Sequence, residues 1–187
     1  MKKFNRYLIT DPKYYGEDVE QFSISLKKSL QSHHVDMVCF RDKTSSNTHK
    51  LAHSCVSICK ETKIQHILIN GNIALAKELD ATGVHLTSMQ FDEIARAKQE
   101  GLFTIISCHT HDEIDQAQKM GANAVTFSPI YSSPNKGIPK GIEQLKDLVG
   151  KYSIPIIALG GITTKQQVDK IQYTQCAGFA SIRYFTH

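Results

Sequence analysis

Apolar residues follow two alternating rhythms along this chain. Short, nearly continuous apolar runs occupy 6–10, 36–41, 66–70, 83–86, 104–108, 124–127, 156–159 and 178–182. Continuous apolarity is the pattern of parallel strands covered on both faces. Between the runs, apolar residues recur every three or four positions: Val19, Phe22, Leu26 and Leu30; Ile73, Ala76 and Leu79; Ile94 and Ala97; Ile114, Ala117 and Met120. That spacing gives each intervening segment one apolar helical face. Boundary residues agree. Thr110 followed by Glu113 predicts a capping box. Thr163 or Thr164 caps the helix that ends near Tyr173, and Gly101, Gly121 and Gly150 stand at predicted helix C-termini.

Strand–helix alternation predicts parallel βαβ units. Seven such units fit, and the eighth strand is followed only by 183–187. The expected fold is α/β: one compact (β/α)8 TIM barrel domain over 1–187, its eighth helix missing or truncated. A flavodoxin-like or other doubly wound sheet competes, but such sheets use about five or six strands. The chain has 187 residues, short for a barrel that usually takes about 250. The missing outer helix leaves apolar barrel surface near the termini. Tyr184 with Phe185, an N-terminal residue such as Phe4, or a neighbouring subunit is expected to cover it, so a homo-oligomer stays open.

Composition narrows the function. Lys plus Arg is 22 and Asp plus Glu 18, a formal charge of +4. The excess is unclustered, which suits a small anionic ligand and not nucleic acid. No apolar stretch reaches the roughly 18 residues of a membrane span. The run after Lys2 and Lys3 stops at Asp11 and Pro12, too short for a signal peptide. Cys39, Cys55, Cys59, Cys108 and Cys176 lack metal-ligand spacing even with His53 nearby. They are expected to be reduced, mostly buried thiols of a cytoplasmic protein, and no metal site is expected.

In this fold the active site lies at the C-terminal ends of the strands. Gly160 and Gly161 sit between a strand and a helix, where backbone N–H groups can meet an anion. With Ser181, Ile182 and Arg183 after the eighth strand, they form the predicted phosphate site; the alternative is a tight turn for helix packing. Arg41 and Lys43 are either an anion-facing pair or a solvated rim pair. Asn70 ends the third strand. The polar loop 128–141 carries Ser133, Asn135 and Lys136 and reads as a binding loop, a lid or a plain connection. His109, two residues after Ser107, is a candidate for proton transfer near neutral pH. His85 and His111 compete for that role, and His33 and His34 read as surface residues.

These residues occur in a recognisable order: Leu8-Ile9-Thr10-Asp11, Arg41-Asp42-Lys43, Ile69-Asn70, Gly83-Val84-His85-Leu86, Ser107-Cys108-His109, Ser128-Pro129-Ile130-Tyr131 through Lys136, then Ala158-Leu159-Gly160-Gly161-Ile162. The set resembles the thiamin phosphate synthase/thiazole tautomerase family over nearly the whole chain. The resemblance implies a barrel, a role in thiamin biosynthesis and a small phosphorylated thiazole as substrate. For the synthase branch it also implies magnesium, held by an acidic residue after Ile-Asn and another after the Val-His-Leu strand. Gly71 and the stretch Thr87-Ser88-Met89-Gln90 stand there instead. Cys39 replaces that branch's Gln, and Ser133 and Asn135 replace its paired Thr, while Lys136 remains.

The tautomerase branch is closer in pattern, with Asn70-Gly71 and the Ser-x-His of Ser107 and His109. The resemblance implies that it needs no cofactor or metal. It moves a proton from a non-aromatic carboxythiazole phosphate to the exocyclic carbon, leaving an aromatic ring. His109 falls on its proton-transferring His, with Ser107 as a positioning group. Arg183 departs from the small residue usual there, and either strengthens phosphate binding or blocks the pocket. Three readings follow: a metal-independent tautomerase; a thiamin phosphate synthase with relocated metal ligands such as Asp42 or Asp92; and a non-catalytic binder or regulator that recognises a phosphate ligand.

Overall fold

A computed structural model describes residues 4–134 and 136–186. Eight parallel strands close into a barrel in chain order, with β1 returning to β8. They are β1 (Asn5–Ile9), β2 (Met37–Phe40), β3 (His66–Asn70), β4 (Gly83–Leu86), β5 (Phe103–Cys108), β6 (Ala124–Phe127), β7 (Ile156–Leu159) and β8 (Gly178–Ser181). Each predicted run contains one strand, with ends shifted by at most a residue or so. The connections hold α1 (Pro12–Tyr15), α2 (Val19–Ser32), α3 (Thr48–Glu61), α4 (Ile73–Glu78), α5 (Glu93–Gln99), α6 (His111–Lys119), α7 (Gly141–Lys151) and α8 (Lys165–Tyr173). None of the described helices is long and apolar enough to cross a membrane.

The side-chain period of a strand is two, and the barrel sorts its residues accordingly. Tyr7, Ile9, Met37, Cys39, Leu68, Ile105, Ala124, Ile157 and Ala180 point inward and pack on one another. The alternate residues, among them Leu8, Val38, Ile67, Ile69, Val84, Ile106, Val125 and Phe179, face the helices in a separate cluster. Most strands therefore bury apolar residues on both faces, which explains the continuous runs, while β4, β5 and β6 also turn His85, Ser107 and Thr126 inward.

Helix ends follow local chemistry. Thr110 with Glu113 and Thr164 with Gln167 each form a capping box. Asp11 caps α1, a short helix missed by periodicity, with Pro12 in its first turn. Gly101 and Gly121 end helices at positive φ, +74° and +78°. Gly150 does not: it lies inside α7, which runs on to Lys151. Lys63, Asp80 and Gln175 take the left-handed conformation elsewhere, at φ of +58°, +53° and +62°.

After β8 the described residues form a 3-10 turn, Arg183–Phe185. Phe179 of β8 is covered within the chain. The Phe185 ring stacks on it at 5.6 Å and 9°, Tyr184 meets it edge-on at 5.0 Å, and Phe4 lies 6.0 Å away. His33 is half-buried and meets Phe185 edge-on at 5.7 Å, so of the two surface-assigned histidines only His34 is exposed. All five cysteines are free and buried.

Candidate active site

A cavity of about 510 Å³ opens at the C-terminal ends of the strands. Its wall continues the inward parity of each strand: Ile9 leads to Asp11, Cys39 to Arg41 and Lys43, Leu68 to Asn70, Ile105 to Ser107 and His109, and Ile157 to Leu159 and Gly161. Ser133, Lys136, Gly160, Ser181, Ile182 and Arg183 line it as well. Every sequence-predicted site residue is thus in one cavity except Asn135, which lies outside the described residues. Sequence reasoning missed Asp11, Lys13 and Thr87, and named Ser128 only as the start of the 128–141 loop. The inward spacing of two, extended past the strand ends, signals Asp11, Thr87 and Ser128; Lys13, on α1, has no such signal.

The wall is electropositive. Lys13, Arg41, Lys43, Lys136 and Arg183 line it, and among the described residues Asp11 is its only carboxylate. Asp11 Oδ2 lies 2.7 Å from Arg41 Nη1. The Thr10 hydroxyl donates to the Arg41 carbonyl at 3.2 Å and accepts its N–H at 2.9 Å, fixing the ends of β1 and β2 together. Arg183 lines the cavity with no carboxylate partner among the described residues.

At the predicted phosphate turn, Gly160 and Gly161 have φ of +98° and +70°. A Cβ on Gly161 would stand 2.5 Å from the Ser132 carbonyl, and one on Gly160 2.8 Å from Pro129 Cα. Ile130 and Tyr131 donate backbone N–H groups to Leu159 and Gly160. The glycine pair therefore also seats the following loop. The Ser181 hydroxyl donates to the Ile162 carbonyl at 2.7 Å and accepts from Tyr184 N–H at 3.1 Å, so it shapes the turn from within.

His109 Nδ1 lies 3.0 Å from the Ser128 carbonyl. A carbonyl only accepts, so this contact suits a proton on Nδ1; the Ser128 hydroxyl lies 3.3 Å from the same nitrogen. The His109 backbone N–H donates to the Glu113 carboxylate, anchoring the residue to the start of α6. The rival histidines differ. His111 stands on α6 outside the cavity, its ring 6.1 Å from that of Tyr152. His85 is buried, and desolvation first, then the Arg41 charge, pushes its pKa down to about 4, so it stays neutral near pH 7.

Gly71 and Gln90 make a closed clasp at the opposite rim. Gln90 Nε2 donates to the Gly71 carbonyl at 2.9 Å, while its Oε1 accepts from Thr87 N–H and the Thr87 hydroxyl at 3.1 and 3.0 Å. Magnesium requires hard oxygen ligands, usually carboxylates together with substrate phosphate. Asp42 and Asp92 do not line the cavity. Asp42 Oδ1 accepts from Thr44 and Ser45 N–H at 2.9 and 3.0 Å, and Asp92 is exposed at the start of α5. No group of three His, Cys, Asp or Glu residues is placed to hold a metal among the described residues. Among the described residues Asp11 is the one carboxylate on the cavity wall, already paired with Arg41, and Gly71 and Gln90 add none.

Comparison with known proteins gives a consistent family. The chain is 35% identical over 186 residues to an Aquifex aeolicus protein with the provisional name thiamine-phosphate synthase 2, covering 96% of both. It is 30% identical to the thiamine-phosphate synthase of Latilactobacillus sakei, covering 96% of this chain and 84% of that one. The barrel superposes on a thiamine phosphate pyrophosphorylase from Pyrococcus furiosus with TM-score 0.82 at 23% identity, covering 97% and 86% of the two chains. That likeness speaks for the fold alone. The sequence pattern described as thiamine monophosphate synthase matches residues 6–185, and the chain belongs to that family.

Proposed function

We propose that this protein is a metal-independent thiazole tautomerase acting on a carboxythiazole phosphate. The observation that carries this reading is the Gly71–Gln90 clasp, a neutral pair at the strand ends where the resemblance puts the synthase branch's metal carboxylates. A proton-transfer reaction needs only a base and anion-binding groups, and the cavity wall offers both.

In this reading Gly160, Gly161, Lys136 and Arg183 hold the phosphate, while Arg41 and Lys43 meet the carboxylate. His109 Nε2 takes a proton from the non-aromatic ring. The resulting imidazolium is stabilised through Nδ1–H to the Ser128 carbonyl. The same proton then goes to the exocyclic carbon, the ring becomes aromatic, and atoms and charge balance. General acid–base catalysis of this kind contributes about 10²–10⁴-fold.

A second reading, thiamine-phosphate synthase, is favoured by the names of the relatives. Supplying the pyrimidine diphosphate, thiazole phosphate and magnesium separates the two: magnesium-dependent formation of thiamin phosphate would support the synthase. Aromatisation of carboxythiazole phosphate in chelator, followed by ultraviolet absorbance, would support the tautomerase.

A further inference from the structure

At the floor of the cavity, which His85 helps to line, and below it, the barrel interior holds polar side chains that this reaction leaves unused. Tyr7 of β1 and Thr126 of β6 are fully buried, and His85 of β4 is 3% exposed. Their inward neighbours include Met37, Leu68, Ile105 and Ile157. Polar groups in such a setting are costly unless paired, and these are paired in a row. Tyr7 Oη lies 2.9 Å from His85 Nδ1, and His85 Nε2 lies 3.1 Å from Ser107 Oγ. Thr126 Oγ1 is 3.5 Å from the same Ser107 oxygen. Ser107 is half-buried and lines the cavity.

The row has a direction. Tyr7 has one proton to give. Its other polar neighbour is the Cys39 thiol, a weak acceptor beside an imidazole nitrogen. Nδ1 is the stronger acceptor of the two, and the proposed orientation has Tyr7 O–H donating to it. In that orientation the neutral ring carries its proton on Nε2, with Thr126 Oγ1 3.4 Å away and Ser107 Oγ nearer at 3.1 Å, and donates to Ser107. Ser107 accepts from His85, and its own proton is left for the cavity.

We propose that Tyr7 and His85 are positioning residues that fix Ser107 as a hydrogen-bond donor to a lone pair on the bound ligand. The inference deepens the functional reading above and rests on it only for the identity of that ligand, an anionic or ring-nitrogen acceptor of the carboxythiazole. The site then favours ligands that present an acceptor to Ser107, because one presenting a donor leaves two donors facing each other.

Two measurements test it. The first is long-range ¹H–¹⁵N correlation of the imidazoles in the ligand-free protein, with His85 assigned through its backbone. The expected result is the Nε2–H tautomer, unchanged between pH 5.5 and 8. An Nδ1–H tautomer, or a ring that titrates in that range, overturns the proposal. This arm needs no turnover, so its outcome is independent of whether the tautomerase reading survives.

The second is a double-mutant cycle on carboxythiazole phosphate turnover, with unchanged circular dichroism as the check on folding. Tyr7→Phe and Ser107→Ala are each expected to lower kcat/KM about tenfold, and the double variant no further than either alone. Losses that multiply to about a hundredfold would mean that Tyr7 does not act through Ser107 and would overturn the proposal.

Discussion

Gln90 closes onto Gly71 with its amide nitrogen 2.9 Å from the glycine carbonyl, while its amide oxygen takes two donors from Thr87. The pair joins the ends of β3 and β4, where Gly71 N–H also donates to the His85 carbonyl. The rim is thereby built around a neutral side chain that must both donate and accept. Gln90→Glu replaces the donor with an oxygen facing a carbonyl. A loss of about 1–3 kcal/mol in urea unfolding is expected, with no magnesium affinity gained in calorimetry.

The buried His85 makes stability depend on pH. Its folded pKa is lowered from 6.5 to about 4 by burial, then by Arg41. Between those values the unfolded chain binds the extra proton and the folded one does not, so stability rises with pH. The contribution is complete above about 6.5 and is lost as pH falls toward 4, by up to about 3 kcal/mol. Urea titrations at stepped pH are expected to show this slope, and His85→Gln to flatten it.

Gly161 meets the 128–132 loop too closely for a side chain. An alanine there adopts φ near +70° with its Cβ 2.5 Å from the Ser132 carbonyl. Gly161→Ala is expected to destabilise by more than the roughly 1–2 kcal/mol of the conformation alone. It should also raise KM, because the loop carrying Ser133 and Lys136 is displaced.

The turn after β8 supports the barrel through Phe185, which is 1% exposed and stacked on Phe179. Phe185→Ala is expected to cost about 3–5 kcal/mol, read from denaturant unfolding. Tyr173→Ala, at an 88% exposed site, should change little.

The barrel was legible because its strands are apolar on both faces and its helices on one. Leu68 and Ile69 point to opposite sides, and both are buried. Helix ends were legible where side chains set them, as at Thr110 and Thr164, and obscure where the backbone did. Lys63, Asp80 and Gln175 adopt positive φ without the glycine that would announce it. The site was legible from strand ends because parity carries each inward row into the mouth. Asp11 was hidden because a capping residue and an ion-pair partner look alike in sequence, and it is both. The different surroundings of the histidines were also hidden. His109 faces the Ser128 carbonyl and hydroxyl, and His85 sits in a buried row, distinctions that arise only when β1, β4, β5 and the 128–132 loop come together.

The most direct test of the central claim is aromatisation of carboxythiazole phosphate by the purified protein in excess chelator. Absorbance is expected to report turnover well above the uncatalysed rate, falling about 10²–10⁴-fold in His109→Ala with the fold unchanged. No rate above background, or a rate indifferent to His109, would contradict it.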